Sequence, residues 1–203
     1  MLKLGFRNGV FHLEARVKDS RKNYAMTDKG MELVDSQPGV GEIPDPSVFL
    51  IETNARIPGH QESFAVEYTY GIDYFAVYML MALSSRASAT QTTDDTALKS
   101  VICALSQPLP AHIQYPTNIV FIPAERGGTF VAAKPLPESL MNYVPQFIVF
   151  MPNGEVIKDP EIEGKWPFVA YFLVAAKLSG AEGREQVRTI GEIVRESLKY
   201  EMQ

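Results

Sequence analysis

Glu125 and Arg126 follow the strand-like run Asn118 to Ile122 after Pro123 and Ala124, and precede Gly127-Gly128, in the stretch TNIVFIPAERGGTFVAAKPLP. A carboxylate beside a guanidinium can hold a polar ligand or a partner chain, and with an imidazole such as His112 it can run acid–base chemistry around a pocket. Pro123 removes a backbone donor and ends a central strand, so the two charges fall past its carboxyl end, where open α/β sheets place ligands. The two glycines let a backbone approach closely, whether a ligand's neighbour or another chain. Glu125, Arg126, Gly127 and Gly128 are therefore the candidate binding residues. The competing reading is a surface turn with a local ion pair, which adds little stability.

Other residue types that carry chemistry are sparse. His12 and Glu14 stand two apart on a predicted strand, so both can point to one face and offer two metal ligands. Further ligands would have to come from elsewhere, and His60 and His112 fall in predicted loops, so a solvated strand face is the preferred reading and no metal site is expected. Cys103 lies among Val101, Ile102, Ala104 and Leu105, which predicts a buried structural thiol without an activating partner. The series Phe64, Tyr68, Tyr70, Tyr74, Phe75 and Tyr78 has no interleaved Lys or Arg, so core packing with hydroxyls at the edge is preferred over base stacking. The sequence has no GxxxxGK[ST], GxGxxG, GxSxG, HExxH or CxxC motif. In EGKWP, Trp166 stands where a phosphate loop would need Ser or Thr for magnesium.

The elements that must carry these residues divide by character. Asn8-Gly9 in LKLGFRNGVFHLEARV predicts a hairpin, with Phe11, Leu13, Ala15 and Val17 turned inward and His12, Glu14 and Arg16 outward. YAMTDKGMELV reads as a second hairpin around Asp28-Lys29-Gly30, with a short helix as the alternative. The prolines and glycines of DSQPGVGEIPDPS predict a surface loop. VFLIET reads as a buried strand and NARIPGHQES as another loop. From Gly71, IDYFAVYMLMALSSRA predicts a heavily buried core helix. TDDTALKSVICALS predicts a second helix, capped by Thr93 or Asp94 and ending before Pro108. NIVFIPA reads as a strand covered on both faces, QFIVFMPNGEVIKD as a hairpin turning at Pro152 to Gly154, and WPFVAYFLVAAKLSG and GREQVRTIGEIVRESLKYEM as two closing helices. The last helix places Val187, Ile190, Val194 and Leu198 on one face.

The fold class expected is α+β, with antiparallel hairpins in the N-terminal third and a mainly helical remainder around one or two central strands. The 203 residues suit a single domain, 1–203, with a β-rich part over 1–70 and a helix-rich part over 71–203. A formal charge of -5 argues against a surface built wholly to grip nucleic acid and leaves only a local basic patch for that role. The single cysteine cannot form an internal disulfide, and the longest apolar run, Tyr74 to Leu83, is about half a bilayer span. A cytoplasmic chain with no membrane segment is expected.

NIVFIPAERGG, a hydrophobic strand ending in Pro-Ala-Glu-Arg, resembles a strand of SMC-like ABC-type ATPase heads, and the early hairpins are similar to the antiparallel β-subdomain of those heads. The elements that grip phosphate in that family are missing: there is no Walker A lysine, no acidic Walker B strand and no LSGGQ-like signature. KLSGAEG at Lys177 to Gly183 follows an apolar helix where a signature would open one. The resemblance implies a non-catalytic or partner-dependent module in which Glu125 to Gly128 contact a partner subunit or nucleotide phosphates, with ATP and magnesium as the implied cofactors. A protein partner or self-association is expected on that reading. The alternatives are a self-assembling structural or interaction protein, viral or defence-associated, and an enzyme of unrecognised type with its pocket near Glu125 and Arg126.

Overall fold

The computed structural model describes residues 5, 9–27, 30–35, 45–90 and 95–203. It is an α+β protein of antiparallel sheets and helices, as the sequence predicts. The chain forms two compact units, Met1–Pro58 and Gly59–Gln203.

The first unit contains four strands, β1 (His12–Lys18), β2 (Lys22–Thr27), β3 (Gly30–Asp35) and β4 (Ser47–Asn54). β2 and β3 form the expected hairpin, with Thr27 opposite Gly30; its turn residues Asp28 and Lys29 lie outside the described residues, as does Asn8 of the first expected hairpin. β1 pairs antiparallel with β4, from His12 opposite Asn54 to Lys18 opposite Ser47, with a bulge at Glu14/Ala15. VFLIET is a strand, but not a buried one: Val48, Phe49 and Ile51 are exposed, and so are Leu13 and Val17 of β1. A two-stranded sheet has no third layer of its own, and none of the described residues of this unit is buried.

The second unit opens with α1 (His60–Tyr70), ended by Gly71 in the left-handed conformation at φ +72°. NARIPGHQES is thus a loop only as far as Gly59. α2 (Tyr74–Thr90) and α3 (Asp95–Leu105) follow and pack on each other. Asp73 caps α2 by accepting from the Phe75 and Ala76 amides at 2.9 and 3.0 Å, which is why the helix begins there. The expected caps of α3, Thr93 and Asp94, lie outside the described residues. α2 is helical but not a core helix: Val77 is buried, while Phe75, Tyr78, Met79 and Leu83 are exposed. The aromatic series shares that fate, Tyr68 and Tyr70 being exposed too. Cys103 is an exposed free thiol, because α3 turns Ile102 and Leu98 inward and leaves Cys103 on its outer side.

β5 (Thr117–Pro123) is an edge strand. The central strand of its sheet is β9 (Phe168–Ala175), flanked by β5 and β7 (Gln146–Val149) in the antiparallel order β5-β9-β7. WPFVAYFLVAAKLSG was expected to be a helix, and here the expectation fails. The run is apolar on every side, so periodicity cannot separate a buried strand from a buried helix; its Val and aromatic content favours the pleat. Val169 to Ala175 are all buried.

β6 (Gly128–Ala133) joins β10 (Tyr200–Met202) and β8 (Val156–Ile157) in a second antiparallel sheet. The turn at Pro152 to Gly154 exists, with the Glu155 amide donating to the Pro152 carbonyl at 3.1 Å. Its two arms do not pair with each other, so the expected hairpin is absent: β7 pairs with β9 and β8 with β6. Two short helices, α4 (Glu138–Met141) and α5 (Pro160–Glu163), link these strands.

α6 (Gly180–Ser197) lies against β5 and β9. Its apolar stripe behaves as the spacing predicts: Val187, Val194 and Leu198 are buried against Val120, Ile122, Phe172 and Val174, with Ile190 at the margin. Among the described residues no helix is long and apolar enough to cross a membrane.

Candidate functional site

The β1–β4 ladder brings four potential ligands onto one face. Residues directly opposite in an antiparallel pair share a face, and so do residues two apart along a strand. Glu14 stands opposite Glu52 and His12 opposite Asn54, so two carboxylates, an imidazole and a carboxamide project from the same side. Leu13 and Thr53, also opposite one another, take the other side. Cβ atoms of such pairs are about 5 Å apart, within reach of a shared ion for two Glu side chains. Among the described residues no three His, Cys, Asp or Glu side chains converge at ion-binding distance; what the register sets is the face that they share.

His12 Nδ1 is buried without a hydrogen-bond partner. An orphaned buried nitrogen is costly and calls for a partner. The Glu14 and Glu52 carboxylates are the donor type that magnesium takes, one or two at a time together with phosphate oxygens. The sequence shows half of this site as His12 and Glu14. The other half, Glu52 and Asn54, is missed because VFLIETN reads as a buried strand. The available signal is the repeated spacing: two short strands, each with an acidic residue two positions from a second possible ligand.

The four residues singled out between β5 and β6 are placed differently from one another. Glu125 and Arg126 are exposed and line a cavity of about 620 Å³ together with Arg195 and Lys199. The Glu125 amide donates to Tyr200 Oη at 2.9 Å. Gly127 and Gly128 meet their own chain: a Cβ at Gly127 would lie 2.7 Å from the Asp159 nitrogen, and one at Gly128 2.7 Å from the Gln203 carbonyl oxygen, with φ at +141°. Their small size serves the close approach of β8, α5 and β10. His112 sits exposed in a single 3-10 turn over Ala111–Ile113 and does not line that cavity.

A third polar arrangement lies at β9. The Tyr171 hydroxyl donates to Gln146 Oε1, and Gln146 Nε2 stands 3.5 Å from His60 Nε2. Burial, and then the Glu62 carboxylate, pushes the Tyr171 hydroxyl up to about 12.

The chain is similar to an enzyme of the ATP-grasp class. Over 213 residues, 98% of the chain, it is 32% identical to the ATP-grasp enzyme fsqD of Aspergillus fumigatus, and it spans 33% of that protein's length. No family model matches. The fold also resembles the crystal structure of phosphoribosylglycinamide synthetase from Anaerococcus prevotii, with a TM-score of 0.48 and 12% identity, covering 77% of this chain and 34% of that one.

The similarity to an ATP-grasp enzyme overturns the resemblance to SMC-like ABC-type ATPases. The former runs along nearly the whole chain, whereas the latter turned on Pro123 to Arg126. In the structure those residues leave an edge strand and cross to a second sheet. The reading as a non-catalytic, ATPase-like interaction module or oligomer falls with it, and the alternative of an enzyme fits better.

Proposed function

We propose that this chain forms part of an ATP-using enzyme of the ATP-grasp type, and that the β1–β4 face is where it holds magnesium and the nucleotide's phosphates. The observation that carries this is the register that sets Glu14 against Glu52 and His12 against Asn54, in a chain 32% identical to an ATP-grasp enzyme. Glu14 and Glu52 supply anionic oxygens and Asn54 a neutral one. His12 supplies a ring nitrogen that a phosphate oxygen would satisfy. Magnesium bound there would neutralise phosphate charge and polarise the phosphoryl group for transfer. A cytoplasmic setting is supported by the lone Cys103 thiol, which no disulfide protects.

Thermal unfolding with magnesium and a non-hydrolysable ATP analogue tests the reading. Ligand binding to the native state raises the midpoint by mass action. A concentration-dependent rise that needs magnesium, and that disappears in both Glu14→Gln and Glu52→Gln, is the expected result. A midpoint that does not move, or moves equally in both variants, overturns it.

A further inference from the structure

The cavity beyond the end of β5 collects cations from three separate segments. Arg126 comes from the β5–β6 link, Arg195 from the last turn of α6, and Lys199 from the link between α6 and β10. Glu125 and Glu196 line the same cavity. Among the described residues neither carboxylate lies within 4.0 Å of any of the three cations, and none of the three makes another ion pair.

The helix dipole accounts for part of this. Arg195 and Lys199 stand at the carboxyl end of α6, where cations are favoured. It does not account for Arg126, which reaches the same space from a different sheet and adds like-charge repulsion. The segments are also held in place. The Glu125 amide donates to Tyr200 Oη at 2.9 Å, the Ala124 amide to the Pro167 carbonyl at 2.8 Å, and the Lys134 amide to the Lys199 carbonyl at 2.7 Å. The backbone under the cations is therefore fixed before anything binds, which lowers the ordering cost of binding.

We infer that this cavity binds a small organic acid through a single oxyanion, a carboxylate or a phosphate monoester. Two guanidinium forks suit a planar or tetrahedral oxyanion through paired N–H donors. Three cations against two carboxylates leave one net positive charge, enough for one oxyanion and unfavourable for a polyphosphate. Ile122, Pro123 and Leu198 give the wall an apolar part for the acid's carbon body. A volume of about 620 Å³ is that of a site for a small molecule. The inference is independent of the β1–β4 reading, because its probes contain neither nucleotide nor magnesium.

Titration calorimetry of the full chain with inorganic phosphate in one arm and with acetate and succinate in the other tests it and separates the two sources. The expected result is saturable binding in at least one arm, weakened about tenfold by Arg126→Gln or Arg195→Gln, since a hydrogen bond to a charged group is worth about that factor. Glu196→Gln, which removes a repelling carboxylate, should tighten binding several-fold, a gain that a merely structural role would not produce. Lys134→Gln, whose partner is Glu201 at 3.1 Å, should leave binding unchanged. No saturable heat in either arm at millimolar probe overturns the inference. So does equal binding by wild type, the arginine variants and Glu196→Gln.

Discussion

Glu14 on β1 lies directly opposite Glu52 on β4, and the two carboxylates stand on one face of that antiparallel pair. Like charges opposite one another destabilise a sheet pair. The arrangement is unfavourable for folding, and on the proposed function a divalent cation shared by the two carboxylates would relieve that repulsion.

Replacing Glu52 with Gln should therefore act in opposite directions with and without ligand. Without magnesium the variant should be more stable than wild type by about 0.2–1 kcal/mol, the scale of a cross-strand charge pair. With magnesium and nucleotide it should show no gain, while wild type does. Paired melting curves, with and without the two ligands, check both signs at once. A variant less stable than wild type in the absence of ligand would mean that the carboxylate is held by a favourable contact instead.

Tyr171 gives a second prediction, at alkaline pH. Its hydroxyl is raised from an ordinary 10.0 to about 12, first by burial and then by Glu62. A raised native value means that the unfolded chain loses this proton first. The contribution is fully present below pH 10 and is lost as pH rises from about 10 towards 12. Tyrosinate absorbance of the folded protein should show one group titrating late, and Tyr171→Phe should remove that step. The variant also leaves the Gln146 carbonyl oxygen without its donor, so it should cost about 1–2 kcal/mol at neutral pH, read from denaturant midpoints.

What could be read in advance follows from which forces are local. α6 was legible because Val187, Ile190, Val194 and Leu198 repeat at helical spacing, and Glu, Arg and Gln fill the rest. The β2–β3 hairpin was legible because the Asp28-Lys29-Gly30 sequence is of turn-forming type between two short strand-like runs. β9 was not, since a strand buried on both faces carries no period to read. The same limit hid half of the candidate site. His12 and Glu14 are two residues apart and visible, whereas Glu52 and Asn54 reach them only through a long-range pairing that skips the β2–β3 hairpin, and no local rule sets that register. The overreading of burial in VFLIET and IDYFAVYMLMALSSRA has a related cause: apolar composition says that a surface can be covered, not that the same unit covers it.

Cys103 offers a quick check on that last point. The sequence predicts a buried thiol among Val101, Ile102, Ala104 and Leu105, and the structure exposes it. A thiol reagent should modify the folded protein at a rate close to that of the unfolded chain, with stoichiometry of one. Protection of several hundredfold, lifted by denaturant, would show that the outer side of α3 is covered in solution.

The packing of α6 against β5 rests on two glycines, and the two should respond differently to a methyl group. In an open helix Gly→Ala stabilises by about 0.5–1 kcal/mol. At Gly191 the new Cβ would stand 2.5 Å from Asn118 Nδ2 and 3.2 Å from Val120 Cγ2. The amide, which donates to the Val187 carbonyl at 3.3 Å, would have to swing away and lose that bond. At Gly183 the Cβ would run into the backbone carbonyl of Leu178, with Pro116 Cδ at 3.0 Å behind it, and backbone cannot rotate aside as a side chain can. Overpacking of this kind costs about 1–3 kcal/mol. Gly183→Ala should fall at the upper end of that range or beyond and Gly191→Ala at the lower end, measured by urea midpoints at constant m. If Gly183→Ala proved neutral, the start of α6 would have to lie farther from the Leu178 carbonyl than the structure places it.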